Sequence, residues 1–397
     1  MAAQKHPTSA ASYMMHDAIR QTMALSNVSD ITNLIHRLIL GSCCYKAGIR
    51  PRDRVYPSSP TNCGSFPRRH AIPREQTAHR IMAPTRQARR IALVGASGNI
   101  GSTTLQGLLS HGIHEITVLS RPESKSTYPA NVTVKTGSYE DEDFLVSALK
   151  DIDFLVLQLP IAAVDLQDGF FRAAAKAGVP WILPTEFGSD PEAERIHELW
   201  PFLARKKQRR DLIEELGVSS WVAVVTNPWF DFCFGRGEWG VNIARRTATL
   251  WDGGNYAMST TTLARAGAAT AELLALPDDE LARFRNGLFR VTSFHISQRQ
   301  ILDAVLRATG TTEADWDVTT PDSGEANKDF ERRLADKPDG DMHVDYEAFT
   351  QRFMLTHFLP GSGGDFNDKV EDLSRFGLGP EDLDEATRKV VASLEKA

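Results

Sequence analysis

Ile91-Ala92-Leu93-Val94-Gly95-Ala96-Ser97-Gly98-Asn99-Ile100-Gly101 carries an apolar run straight into a turn of spaced glycines. Beyond it, Ile100, Thr104, Leu105, Leu108 and Leu109 recur on one helical face until His111-Gly112 ends the pattern. The order strand, turn, helix is what gives the glycines their meaning. Residues without a Cβ let the backbone turn tightly and come close to an anion, and the first helical N–H groups and the positive end of the helix dipole then hold its charge. Gly95, Ser97, Gly98, Asn99, Ile100 and Gly101 are therefore expected to cradle the pyrophosphate of a dinucleotide. Three glycines taken alone would equally suit a plain strand–turn–helix with no ligand.

Outward from this turn the pattern alternates. Strands are expected at 90–94, 115–119, 132–135, 154–159, 181–183 and 221–225, and helices at 142–149, 166–176 and 201–216. Such alternation predicts an α/β fold: a Rossmann-type doubly wound parallel sheet. After Asn227-Pro228 the rhythm turns aromatic and glycine-rich, with short strands at 248–251 and 289–292 and helices at 263–276 and 297–309. These read as a smaller C-terminal α/β substrate lobe, interleaved with the far edge of the sheet. Residues 311–345 are polar and acidic and read as a long loop, with terminal helices at 352–359 and 381–395. The expected organisation is an N-terminal extension (1–88), a nucleotide-binding domain (89–228) and a substrate lobe with C-terminal helices (229–397). No internal repeat is visible.

The 397 residues are 42% hydrophobic and 24% charged, which suits a globular protein large enough for a substantial core. The net charge of −6 conceals an asymmetry: residues 1–90 hold 14 Lys/Arg against 4 Asp/Glu, and the remainder 31 against 47. An acidic body argues against direct nucleic-acid binding. Three of the four cysteines (Cys43, Cys44 and Cys63) lie in the basic leader and only Cys233 beyond it. That is neither a disulfide framework nor a metal-ligand spacing, so no metal is expected and the body reads as cytoplasmic. No run reaches the roughly 18 apolar residues of a membrane span. The basic, acid-poor first 81 residues have three readings: a disordered or wrongly joined appendage, a mitochondrial transit peptide, or a regulatory arm.

The residue ending the second strand, about 20 positions past the glycine turn, reads the adenosine ribose. An acid there selects NAD. Here the strand ends Leu119-Ser120-Arg121, so Arg121, with Lys125 nearby, offers cations to a 2′-phosphate and points to NADP(H). Glu123 lies close and could instead serve NAD. No tyrosine is followed four residues later by lysine, so the proton-transfer dyad of ordinary short-chain dehydrogenases is missing. On helix 201–216, at about 100° per residue, Lys206 shares a face with Phe202, Leu203 and Ile213, whereas Lys207 faces Asp211 and Glu214. Lys206 thus points toward the sheet. Two readings stand: a snorkelling side chain, or an ammonium that donates a proton or stabilises developing negative charge.

With these residues in hand, the stretch from about 90 to 310 resembles the NmrA-like, isoflavone-reductase-like branch of atypical short-chain dehydrogenases, its fungal members above all. The resemblance rests on GASGNIG at 95–101 and on Phe170 to Val179 leading to Leu183-Pro184-Thr185-Glu186-Phe187-Gly188. It rests also on Lys206 eleven residues before Gly217, and on Ser219-Ser220-Trp221 followed by Asn227-Pro228-Trp229-Phe230. It implies a Rossmann domain that binds NADPH, with a catalytic lysine at Lys206. Gln158, Thr185 and Phe187 would lie along the cofactor, and Glu186, Trp229 and Phe230 would line the substrate pocket, the alternative for Trp229 and Phe230 being that they only fill the junction between lobes. The chain departs from the family where Gly137-Ser138 replaces Gly-Asp and where Gln158-Leu159-Pro160 replaces small residues after strand four.

The expected function is NADPH-dependent reduction of a small aromatic or conjugated carbonyl or alkene substrate by a monomer or homodimer, without nucleic-acid or membrane partners. The alternative is a non-catalytic NADP(H)-binding redox sensor that regulates transcription. Epimerase or dehydratase chemistry on a nucleotide sugar would lack its tyrosine–lysine dyad.

Overall fold

A computed structural model describes residues 86–335 and 345–395. Its first elements are β1 (Arg90–Val94), α1 (Asn99–His111), β2 (Glu115–Ser120), β3 (Thr133–Thr136), α2 (Glu142–Leu149) and β4 (Phe154–Leu157). Next come α3 (Gln167–Ala177), β5 (Trp181–Leu183), α4 (Glu194–Leu199), α5 (Ala204–Leu216) and β6 (Ser220–Val225). Beyond these lie β7 (Val241–Asn242), β8 (Thr247–Thr249), β9 (Ala257–Thr260), α6 (Leu263–Leu274), β10 (Gly287–Arg290) and β11 (Phe294–Ser297). The chain finishes with α7 (Gln298–Thr309), β12 (Asp317–Thr319), α8 (Ser323–Leu334), α9 (Tyr346–Phe358) and α10 (Leu383–Leu394).

Seven strands form the main sheet in the order β10-β6-β5-β4-β1-β2-β3, every neighbouring pair parallel. The central strands read as unbroken apolar runs because both faces are covered. Successive side chains alternate between two cores. Ile91 and Leu93 join the layer holding Leu105 and Leu108 of α1 with Ala266 and Ala269 of α6. Ala92 and Val94 join the opposite layer, with Leu145 of α2, Phe170 and Phe171 of α3 and Ile213 of α5. The doubly wound parallel sheet is as expected, and chain order reverses between β1 and β4, where a crevice opens at the carboxyl ends of such strands.

A second, smaller lobe holds the strand pair β11-β9, the three-stranded sheet β12-β8-β7 and helices α7 to α10. Its core gathers Phe230, Phe234, Trp239, Leu250, Trp251, Met258, Ile301 and Phe358. No helix among the described residues is long and apolar enough to cross a membrane.

Three expectations need correcting. The segment read as 289–292 is β10 at 287–290, and it pairs with β6 as the seventh strand of the main sheet. With α6 packed against the α1 layer, a boundary at 228/229 does not separate two self-contained pieces. The stretch 311–345 is no long loop over its described part. It contains β12, which pairs with β8, and three turns of helix in α8. Finally, residues 86–88 belong to the fold rather than to an extension. Arg86 grips Glu272 through two hydrogen bonds (2.6 and 3.1 Å), and Gln87 donates to Asp278 and through its backbone to Ala275. Whatever was expected of residues 1–81 lies outside the described residues.

Candidate active site

The glycine turn is built by crowding. Gly95 adopts φ 81°, and a Cβ there would overlap the main-chain oxygen of Gln158 at the end of β4. A Cβ on Gly101 would overlap the Gly95 carbonyl. These two glycines let β1, β4 and α1 converge, and no other residue fits. Gly98 donates to the Gly95 oxygen at 2.9 Å and begins α1 without a side-chain cap. Ser97, Gly98 and Asn99 are exposed, while Ile100 and Gly101 are buried beneath them. The free N–H end of a thirteen-residue helix therefore faces outward over a floor that admits backbone only.

On one side of this turn, the register Val94↔Leu119 carries Arg121 just past the paired residues of β2, level with the glycines. Its guanidinium lies 3.2 Å from Glu123, and both side chains are open to solvent. Lys125 is exposed in the loop beyond. Tyr139 braces this corner by donating to the Leu119 oxygen at 2.8 Å, and burial pushes its phenol up to about 12.

On the other side, the buried Gln158 donates to Thr104 of α1 at 2.7 Å, while its Oε1 has no hydrogen-bond partner among the described residues. Thr185, at the end of β5, accepts from the Leu159 N–H and donates to the Leu157 oxygen (3.2 and 3.0 Å). Its own N–H donates to Gln167 at 2.8 Å. Phe187 is buried at φ 28°, a left-handed bend that a phenylalanine adopts only under constraint.

That bend presents Glu186 to α5. Lys206 donates to the Glu186 main-chain oxygen at 2.5 Å and lies 3.6 Å from its carboxylate, which is bonded directly to Arg210. The Lys206 side chain is 13% exposed, against 67% for Lys207, which pairs with Asp211 at 2.8 Å. Helical spacing thus sorted the two lysines as expected. Burial lowers the Lys206 pKa first; Glu186 pulls it back up and Arg210 opposes that pull. Arg210 was missed by sequence reasoning, although its place one helical turn beyond Lys206 was a usable signal.

Trp229 is half-buried beyond β6, its indole N–H donating to Thr226 at 3.2 Å and its ring edge-on to Phe232 at 5.8 Å. Phe230 differs: it is fully enclosed by Phe234, Trp239 and Phe294, with centroids 5.0 to 5.7 Å away. It presents no surface to a pocket and instead seeds the lobe's core. Gln167 was not singled out by the sequence, and Asn227 was quoted there without a role of its own. Asn227, buried at φ 52°, donates to the Ser259 and Gly364 oxygens (3.0 and 2.6 Å) and so ties the end of β6 to the lobe.

A family model described as the NmrA-like family matches residues 87–230. The chain is 30% identical over 226 residues to oxidoreductase poxI of Penicillium oxalicum, covering 54% of this chain and 68% of that one. It is 29% identical over 245 residues to oxidoreductase aprR of Aspergillus flavus, covering 60% and 79%. Among solved structures, AtPrR2 with NADP+ and (+)pinoresinol superposes with a TM-score of 0.57 at 19% identity, across 77% of this chain and 99% of that one. At that identity the likeness is one of fold.

Proposed function

Because the chain belongs to the NmrA-like family, we propose that it is an NADP(H)-dependent oxidoreductase reducing a small aromatic or conjugated carbonyl or alkene substrate, with Lys206 as its proton donor. The observation that carries this reading is the Lys206 ammonium, held nearly buried beside the same carboxyl edge as the glycine turn. The residues present fit the cofactor. The turn excludes a Cβ at Gly95 and Gly101, and among the described residues the helix end beside it lacks a side-chain cap and the buried Oε1 of Gln158 has no hydrogen-bond partner. Arg121, with Lys125, supplies cations for the 2′-phosphate, and the turn holds the pyrophosphate.

When bound, the cofactor supplies a hydride. The chain's own part is to position, to exclude water and to hold a proton. Lys206 keeps that proton on Nζ, anchored to the Glu186 carbonyl, and releases it to the substrate atom where negative charge develops. Partial burial lowers its pKa toward a range where release is feasible. Trp229 offers a half-buried indole to a flat apolar molecule. The names of the two fungal relatives as oxidoreductases support the reaction class, and the ligands of AtPrR2 support both the cofactor and an aromatic substrate.

Lys206→Ala tests this directly. Reduction of quinones, enones and phenylpropanoids by NADPH should fall to background while NADPH binding, followed by fluorescence, is unchanged. A variant with wild-type turnover removes Lys206 from the chemistry. A wild-type protein that binds NADPH tightly yet oxidises it with none of these compounds returns the sensor reading.

A further inference from the structure

We propose that Glu186 and Arg210 form a positioning pair for Lys206, in which Arg210 holds the Glu186 carboxylate so that the ammonium is anchored but not locked. The inference rests on the reading of Lys206 as proton donor and adds what governs its proton.

Three charges share one nearly buried space: the Glu186 carboxylate, the Lys206 ammonium and the Arg210 guanidinium, with side chains 3, 13 and 9% exposed. One carboxylate cannot satisfy two cations equally. Its Oε1 bonds directly to Arg210, whereas its Oε2 stays 3.6 Å from Lys206, beyond hydrogen-bond reach. Arg210 cannot easily swing away. Its guanidinium lies over the Trp221 indole at 5.4 Å, and that indole N–H is fixed to Glu214 at 2.8 Å. Arginine remains ionised at every working pH, so of the two cations only the lysine can give up a proton.

The geometry of one residue makes the arrangement. Glu186 donates its N–H to the Pro184 oxygen at 2.8 Å, and Phe187 follows at φ 28°. This tight bend directs the carbonyl and the carboxylate of Glu186 toward the same helix face. Lys206 thus receives an uncharged anchor at 2.5 Å and an electrostatic hold at longer range. From α4, His197 also faces this group. Its own pKa is lowered, first by burial, and its ring is fixed to the Asp190 oxygen at 3.2 Å.

The two partners act on the lysine in opposite senses. Glu186→Gln removes an attracting charge and makes the proton easier to lose. Arg210→Met removes a repelling charge, frees the carboxylate to meet Lys206 and makes the proton harder to lose. The test is the pH dependence of Lys206 acetylation by acetic anhydride in the folded full-length chain, read by mass spectrometry, alongside the pH profile of kcat. The labelling midpoint should move down in Glu186→Gln and up in Arg210→Met, each by about one pH unit or tenfold in proton affinity. Arg210→Lys should stay near wild type. Near-UV dichroism verifies folding, and either variant alone decides.

Midpoints that stay fixed, or that shift in the same direction in both variants, overturn the pair. If the midpoints separate as expected while the alkaline limb of kcat does not follow them, the pair stands and the proton-donor role of Lys206 falls.

Discussion

Arg121 is the side chain to which the choice of cofactor is assigned in the proposed function. It stands at the tip of β2 beside the glycine turn, partly exposed and 3.2 Å from Glu123. A 2′-phosphate would draw the guanidinium into a stronger charge-assisted contact than this solvated carboxylate provides. Arg121→Asp should therefore weaken NADPH binding about tenfold or more and erase or invert the preference over NADH. Equal NADPH and NADH affinities in the wild-type protein, measured by fluorescence titration, would remove Arg121 from cofactor selection. At this scale the sequence was informative where chemistry follows from local spacing. The glycines at 95 and 101 and the inward face of Lys206 could be read directly. The Glu186–Arg210 contact could not, because it joins residues 24 apart through a bend that only tertiary structure imposes. Nor could Phe230 be told from a pocket aromatic, since a core position and a pocket wall favour the same side chain.

Among the elements, α6 illustrates a helix completed by a distant part of the chain. It has no basic residue in its last turn. Arg89, 7% exposed, supplies the missing charge by donating to the Leu274 and Leu276 oxygens at 3.0 and 2.6 Å and pairing with Asp278 at 2.9 Å. Cationic donors are favoured at this end of a helix, where the last carbonyls lack partners. Arg89→Ala should destabilise the fold by on the order of 3 kcal/mol, seen as a lower urea midpoint; an unchanged midpoint would show the carbonyls to be satisfied by solvent. The same scale explains why 311–345 was misread. Helix α8, SGEANKDFERRL, sets only Ala326, Phe330 and Leu334 on the lobe core, a helical four-residue spacing that its charged and polar majority masked. Strand β10 was counted with the lobe, although it forms the sheet's far edge, for a different reason. Four residues of strand pattern carry no information about which edge they will join.

Taken as a whole, the molecule is held together between its lobes by buried polar contacts as well as by apolar ones. His357 of α9 lies 2.9 Å from Ser189, in the segment after β5, and 2.8 Å from the Phe353 oxygen. Burial pushes its pKa down to about 4, against about 6.5 in an unfolded chain. The unfolded state therefore binds the extra proton first as pH falls. The contribution is complete above about pH 6.5 and is lost progressively toward about pH 4, a difference of about 3 kcal/mol. His357→Gln should reduce the stability loss between pH 7 and pH 4.5, compared by urea unfolding, by about 2–3 kcal/mol. His114, also pushed down to about 4 mainly by burial, titrates in both proteins and cancels in the comparison. Identical losses would show that His357 is not the group taking up the proton.

The route of the chain between the lobes has its own consequence. After β6 it enters the lobe at Phe230, returns to the sheet through α6 and β10, and re-enters the lobe at Phe294. It comes back to the sheet layer at Leu373 and Phe376 and ends on the lobe in α10, where Val390 joins that core. Such a lobe is stitched in rather than appended, so it cannot be exchanged as a cassette by cutting at two points. A change of pocket in a chain threaded this way is therefore more simply made by replacing single side chains than by transplanting a segment, because every long segment contributes to both cores.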